Sequence, residues 1–263
     1  MRLVTFAPLL VAAAACRTEA PAVDHRPAAP SESSPAVPSP ATTPAPPQVF
    51  EVGPDGADAG AHPHDLVVFL HGVGASADSF RHLAEQVAPA IPQARLVIPD
   101  GFYPFDGAAT GRQWFGMRDL TEKSRGERVG RAGREVSEWI DAQLDRQGLA
   151  HDRVAIVGFS QGAMLAAWLS VHRSPSPRAV VVLSGRVSDD APPVPGSVST
   201  PVLWLHGAKD TVIPAAYVEP GVATLTAWGA RVTKRTYPDL AHQVDARELA
   251  ETKVFLAASL GPR

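Results

Sequence analysis

The 263-residue chain has almost no cysteine, and Cys16 is its single thiol. One thiol cannot form an internal disulfide or a thiolate metal cluster, and if Cys16 lies outside the folded part, a cysteine nucleophile is excluded there too. Neither charge dominates, because 24 basic residues face 27 acidic ones. The basic surface that nucleic-acid binding requires is therefore not expected. The folded part must be held together by its hydrophobic core.

The N-terminus lacks an apolar run long enough to cross a bilayer, which takes about 20 residues. Residues 1–15 instead begin with Met-Arg and continue with a short apolar run from Leu3 to Ala15. One basic residue, a short apolar segment and small residues at its end are typical of an export signal. We therefore predict a signal peptide over residues 1–15.

Cys16 directly follows Ala13-Ala-Ala15, and this arrangement resembles the lipobox of bacterial lipoprotein signals. The resemblance implies cleavage before Cys16 and lipidation of its sulfur and new amino group, so that acyl chains attach the protein to a membrane of the bacterial cell envelope. The alternative is an ordinary secretory signal with an incidental cysteine, which would give a secreted or periplasmic protein.

Residues 17–48 are dominated by a few residue types, with nine Pro and seven Ala among 32. Such a segment cannot bury enough apolar surface to offset its loss of conformational entropy. We predict a lipidated Cys16 and disordered tether over residues 16–48, followed by one globular domain over residues 49–263.

From residue 49 onward, short apolar runs alternate with longer amphipathic segments. The predicted buried strands lie at 66–71, 95–98, 154–158, 179–183 and 202–206, an edge strand lies at 232–237, and the predicted helices lie at 76–89, 128–147, 161–172 and 245–259. Nearly continuous apolar strands separated by helices indicate an α/β fold, with a mostly parallel central sheet and helices on both faces. Glycine and proline in 101–126 indicate a long irregular excursion after the second strand.

The motif Gly158-Phe-Ser-Gln-Gly162 follows a predicted strand and opens a predicted helix. G-x-S-x-G is weak evidence by itself, but strand, turn and helix together are the setting of the nucleophile elbow in α/β-hydrolases. The turn is so tight that side chains at 158 and 162 would clash. Ser160 is the candidate nucleophile, and a glycine-lined turn with an incidental serine is the alternative.

A serine needs a base to remove its proton, and nine histidines are available. His71 and His206 end strands in His-Gly pairs, which suits a wall or turn. His242 comes last, in a loop after the edge strand, and matches the order Ser, acid, His of this fold. His242 is therefore the candidate base.

Asp210 is the candidate acid, because it lies in the loop after a buried strand, at the sheet edge where open α/β sheets place their sites. It would accept the Nδ1–H of His242 and stabilise the imidazolium. Asp239 and Asp245 are rivals by proximity along the chain. The backbone N–H groups of Val73 and Gln161 are the candidate oxyanion donors.

These residues resemble the carboxylesterase/phospholipase family of α/β-hydrolases, which includes acyl-protein thioesterases, over most of residues 64–260. The resemblance is carried by 69–74, 111–115, Gly158-Phe-Ser-Gln-Gly-Ala-Met164, 183–185, 206–214 and His242. It implies Ser160, Asp210 and His242 as a triad, Val73 and Gln161 as the oxyanion hole, and no metal or other cofactor. Ala241 departs from the glycine that usually precedes the histidine.

The resemblance implies a carboxylesterase that acts on small ester substrates with short to medium acyl chains. Alternatives are an acyl thioesterase or lysophospholipase, a polyester depolymerase or peptidase with the same triad, and a catalytically silent ligand-binding lipoprotein. Trp114 and Phe115 match a family segment that lines the substrate pocket, and the alternative for both is the core. The oligomeric state does not follow from the sequence.

Overall fold

A computed structural model describes residues 48–53, 63–188, 192–193 and 199–260. The predicted signal peptide, Cys16 and residues 17–47 of the predicted tether lie outside the described residues. Within the described part, none of the helices is both long enough and apolar enough to span a bilayer.

The described residues contain nine strands and five α-helices. The strands are β1 (Val49–Val52), β2 (Asp65–Leu70), β3 (Ala94–Pro99), β4 (Tyr103–Pro104), β5 (Arg112–Gln113), β6 (Val154–Phe159), β7 (Ala179–Leu183), β8 (Pro201–Gly207) and β9 (Arg231–Tyr237). The helices are α1 (Ala77–Val87), α2 (Glu122–Gln147), α3 (Gln161–His172), α4 (Val218–Ala227) and α5 (Ala246–Leu260).

Seven strands form one sheet in the order β1-β3-β2-β6-β7-β8-β9, in which only β1 runs antiparallel to its neighbour. Helices α2, α3 and α4 bury their apolar side chains against one face, and α1 and α5 against the other. β2 and β7 are buried along their whole length, whereas β9 is largely exposed at the edge. The predicted α/β architecture and its edge strand are confirmed.

Helix α2 begins earlier than the sequence predicts, at Glu122 rather than at 128. The Thr121 side chain caps it by accepting the N–H of Ser124, and the Ser124 hydroxyl in turn accepts the N–H of Thr121. Such a reciprocal cap stabilises the first turn of a helix. The irregular excursion therefore ends at 121, and it contains the short β4–β5 hairpin.

Apart from the short β4–β5 hairpin and two single-turn 3-10 helices, the sequence does not predict two elements, β1 and α4. Helix α4 contains Gly221, which disfavours helix in isolation, whereas Pro220 is tolerated because it lies in the first turn. It forms because it packs on the indole of Trp204, which lies so close that a Cβ at Gly221 would overlap it. Tertiary burial therefore outweighs local propensity in α4.

Candidate active site

Ser160 lies in the tight turn between β6 and α3. Its backbone has φ 55° and ψ −114°, a combination that is strained for a residue with a side chain. A Cβ at Gly158 would overlap the Gly162 backbone, and a Cβ at Gly162 would overlap the carbonyl of Leu70. Only glycine fits at these two positions, so the turn carries Ser160 to the carboxyl end of the sheet, as the sequence predicts.

The structure brings Ser160, His242 and Asp210 together in one hydrogen-bonded line. The Ser160 Oγ is 2.9 Å from the His242 Nε2, and the His242 Nδ1 is 2.7 Å from the Asp210 Oδ2. Because a carboxylate can only accept, the Nδ1 carries the proton and the Nε2 lone pair accepts the Ser160 hydroxyl. In this arrangement the imidazole can take the hydroxyl proton during attack on an acyl carbon.

The Asp210 carboxylate is held on both oxygens. Its Oδ1 accepts the backbone N–H groups of Val212 at 2.9 Å and Ile213 at 2.8 Å, and its Oδ2 faces His242. Burial by itself would raise the pKa of Asp210, but the hydrogen bonds from His242 and the Ile213 amide lower it below its ordinary value. Asp210 is therefore ionised at neutral pH and oriented toward His242.

His206, at the carboxyl end of β8, lies beside this carboxylate. Its Nε2 donates to the Ile213 carbonyl at 2.8 Å and is 3.5 Å from the Asp210 Oδ2. The ring is completely buried, and burial lowers the pKa of His206, so it is neutral with its proton on Nε2. The sequence suggested a wall or turn role, whereas the contacts show a residue that closes the loop carrying Asp210.

Among the described residues, neither rival acid forms a hydrogen bond or an ion pair with His242. Arg247 binds both of them instead, with its Nη1 2.8 Å from the Asp239 Oδ1 and its Nε 2.8 Å from the Asp245 Oδ2. Asp239 precedes His242 in the sequence and Asp245 follows it. The Arg247 guanidinium therefore bridges the two ends of the loop that contains His242.

The loop after β2 packs directly against Ser160, since a Cβ at Gly72 would stand 3.2 Å from the Ser160 Cβ. His71 fixes this loop: its Nδ1 donates to the Gly72 carbonyl at 2.7 Å, and its Nε2 accepts the Gly101 N–H at 2.8 Å. Burial lowers the pKa of His71, in keeping with this neutral, two-sided role.

The two candidate oxyanion donors remain available for a substrate. Among the described residues, neither the Val73 N–H nor the Gln161 N–H has a hydrogen-bond acceptor. Gln161 is the first residue of α3, where backbone N–H groups have no partner within the helix and favour negative charge. Both N–H groups are therefore free to donate to a substrate oxygen, and both lie on segments that adjoin Ser160.

The Gln161 side chain ties the excursion to the nucleophile turn, a role that sequence reasoning missed. Its Oε1 accepts the Trp114 N–H at 2.8 Å, and its Nε2 donates to the Phe115 carbonyl at 2.8 Å. Trp114 is completely buried in the core and donates its indole N–H to the His71 carbonyl at 2.9 Å. The core alternative is thus favoured for both residues, because Phe115 is only 5% exposed and belongs to the same hydrophobic cluster as Trp114.

Within the described residues, no group of three or more His, Cys, Asp or Glu side chains is placed to hold a metal ion. The groups that converge at the sheet edge are a hydroxyl, an imidazole, a carboxylate and free amides. Fold and site together define a serine hydrolase of the α/β class that acts on ester bonds.

Residues 57–260 match the phospholipase/carboxylesterase family, and the chain belongs to that family. Esterase YpfH of Escherichia coli (strain K12) is 30% identical over 185 residues, which are 70% of this chain and 78% of that relative. Acyl-protein thioesterase 1 of Gibberella zeae is 22% identical over 217 residues, covering 75% of this chain and 91% of the relative. The crystal structure of esterase PE8 shares the fold, with a TM-score of 0.72, 23% identity and coverage of 82% of this chain and 100% of that one.

Proposed function

We propose that this protein is a serine carboxylesterase that hydrolyses carboxylic esters with short to medium acyl chains. Ser160 is the nucleophile, His242 the general base and Asp210 the acid that orients it. The observation that carries the proposal is the pair of hydrogen bonds at 2.9 Å and 2.7 Å that joins these three side chains.

In the first half of the reaction the Ser160 Oγ attacks the ester carbonyl carbon while its proton moves to the His242 Nε2. The carbonyl oxygen becomes an oxyanion, and the N–H groups of Val73 and Gln161 donate to it. Collapse of this intermediate breaks the bond to the alkoxy oxygen, which takes the proton from His242 and leaves as an alcohol.

In the second half a water molecule takes the place of the alcohol. His242 removes its proton, the hydroxyl attacks the acyl-Ser160 carbonyl, and the same amides bind the oxyanion. The Ser160 oxygen leaves with the proton returned by His242, and a carboxylic acid is released. Asp210 stays ionised throughout and stabilises the imidazolium.

A fluorophosphonate probe tests the nucleophile directly. We expect stoichiometric labelling of the wild type and no labelling of Ser160→Ala, with ester hydrolysis reduced at least about 10⁴-fold in the variant. Ser184→Ala is the matched control: this serine is also buried at a strand end with a positive φ, but it is outside the hydrogen-bonded line. Labelling that persists in Ser160→Ala would refute the assignment.

Substrate class is the second part of the proposal. Nitrophenyl esters of increasing acyl length, a matching acyl thioester, a lysophospholipid, a polyester film and a peptide separate the alternatives. We expect the highest kcat/KM for a short or medium ester. An acyl thioesterase is the second candidate, because relatives named acyl-protein thioesterase align over most of the chain. Absence of both probe labelling and turnover of every substrate would instead indicate a silent binding protein.

We also propose that the protein is exported and attached to a membrane of the bacterial cell envelope through acyl chains on Cys16. The support is the apolar leader and the Ala13-Ala-Ala15 sequence before the chain's single cysteine. Metabolic labelling with an alkynyl fatty acid should mark the wild type and leave Cys16→Ser unmarked. An unlabelled wild type released into the soluble fraction would support simple secretion instead.

A further inference from the structure

Glu248 is a buried acid that neither the sequence motifs nor the proposed reaction uses. It is the third residue of α5, the helix that begins four residues after His242, and its side chain has no exposed surface. Glutamate is almost never fully buried unless it is paired. Its burial in the first turn of the helix that follows the His242 loop therefore requires an explanation.

The Glu248 carboxyl has no compensating partner. Among the described residues, neither its Oε1 nor its Oε2 has a hydrogen-bond donor, although its own backbone N–H donates to the Asp245 Oδ1 at 3.1 Å. One turn further along α5, the Thr252 hydroxyl is also buried without a partner. No described group therefore donates a hydrogen bond to the carboxyl.

The charges that face Glu248 are mostly of its own sign. Asp245 lies on the same turn and Asp210 lies on the loop after β8. The Tyr237 phenol on β9 is also close, but it is uncharged because its pKa is raised above its ordinary value. Arg247 is the one nearby cation among the groups that act on Glu248, but its guanidinium already binds Asp239 and Asp245.

Burial is the main reason that the pKa of Glu248 rises to about 8, and the negative charge of Asp245 adds to it. The Asp245 amide and the Arg247 charge offset part of this rise, and the amide does so without reaching hydrogen-bond geometry with either carboxyl oxygen. At neutral pH Glu248 is therefore mostly an uncharged acid.

We propose that Glu248 is a positioning residue that holds the His242 loop in its active arrangement only while it is protonated. Ionisation would place a further negative charge beside Asp245 and Asp210 with no donor to receive it. The first turn of α5 would then open toward water, and His242 would leave its place between Ser160 and Asp210. This inference rests on the triad proposed above.

The test compares the pH dependence of kcat and KM in the wild type and in Glu248→Gln, whose neutral amide imitates the protonated acid. We expect wild-type kcat to fall above about pH 8, to about a tenth of its plateau at pH 9, with KM little changed. Glu248→Gln should keep its plateau rate at pH 9. Glu251 lies one turn away, is partly exposed and binds the Tyr237 hydroxyl, so Glu251→Gln is the control. Its kcat should fall above about pH 8 as in the wild type.

Ser160→Ala supplies the background rate of alkaline ester hydrolysis and separates the two proposals. If Ser160→Ala is as active as the wild type, the triad itself fails. If it is inactive but the wild type and Glu248→Gln decline in parallel, the inference about Glu248 alone is overturned. A folded Glu248→Gln that is inactive at pH 7 would also overturn it, and Glu248→Met replaces it if the amide variant does not fold.

A stability measurement gives a readout that does not depend on activity. The unfolded chain releases the Glu248 proton near pH 4.5 and the folded chain releases it near pH 8, so the folded state binds more protons between these values. The wild-type free energy of unfolding should therefore fall as pH rises through this window, and Glu248→Gln should lack this component. Identical pH dependence in both proteins would contradict the proposal.

Discussion

The two sides of the active site are held by different forces. The nucleophile side, residues 158–162 with Gly72, is shaped by steric exclusion, because backbone atoms occupy the space that side chains would need. The base side, residues 206–213 and 238–248, is held by hydrogen bonds and charge pairs among side chains and amides. The steric constraint requires glycine at closely spaced positions, which is visible in the sequence as a short motif. The polar network involves residues that have no common spacing in the sequence.

The largest expected effect comes from breaking the nucleophile side with Gly162→Ala. The added Cβ would overlap the Leu70 carbonyl, which belongs to a central strand and cannot move aside. We expect a loss of stability of at least about 4 kcal/mol, in the range reserved for severe core disruption, or failure to fold. Chemical denaturation measures it. Gly53→Ala, where no described atom lies within 4 Å of the added carbon, is the control and should be unchanged.

The next effect is on the base side, with Asp210→Asn. The amide can still accept the Val212 and Ile213 N–H groups, but it no longer fixes the proton of His242 on Nδ1. We expect kcat to fall about 10⁴-fold with little change in thermal stability. A variant that retains more than about a tenth of wild-type kcat would mean that another group orients His242, and Asp239→Asn would then be the variant to measure.

A smaller effect is expected where the base side depends on a single buried donor. His206→Leu removes the hydrogen bond to the Ile213 carbonyl and leaves that carbonyl unpaired. Such a loss costs about 1–3 kcal/mol, so we expect kcat to fall about 10- to 100-fold with KM nearly constant. His206→Gln retains an N–H donor and should recover most of the activity. Equal activity of both variants and the wild type would show that the loop is held without this contact.

The smallest effect should come from Arg247→Gln, which removes the surface bridge between Asp239 and Asp245. Exposed ion pairs contribute little and are screened by salt, so we expect less than about a threefold loss of kcat/KM at low salt and none at high salt. Arg235→Gln breaks an exposed pair with Glu251 away from the His242 loop and should have no effect on kcat/KM. A tenfold loss of kcat/KM that persists at high salt would show that the Arg247 bridge does more than neutralise charge.

Much of the fold and of the candidate site could be predicted from the sequence. The five buried strands follow from their continuous apolar runs, and Ser160, Asp210 and His242 follow from motif, strand-end position and chain order. The start of α2 was predicted six residues late, because its cap is a pair of hydroxyl residues rather than part of the apolar pattern. β1 is only four residues long, and it exists because β3 offers an open edge with which to pair.

Several of the polar supports could not be predicted, because they depend on a partner far along the chain. The Gln161 side chain binds the backbone of Trp114 and Phe115, more than forty residues earlier. His71 accepts from Gly101, thirty residues later. Spacing in the chain carries no information about such pairs, since hydrogen bonds form between whatever groups the fold brings within about 3 Å.

The class of fold and the tight turn at Ser160 could be predicted from the amino-acid sequence, because hydrophobic periodicity and backbone sterics act over a few neighbouring residues. Packing in three dimensions was needed to show that Trp114 belongs to the core and that the buried Glu248 carboxyl has no hydrogen-bond donor among the described residues. Burial, and hydrogen bonding between residues that are distant in the sequence, are defined only once the strands and helices have packed together.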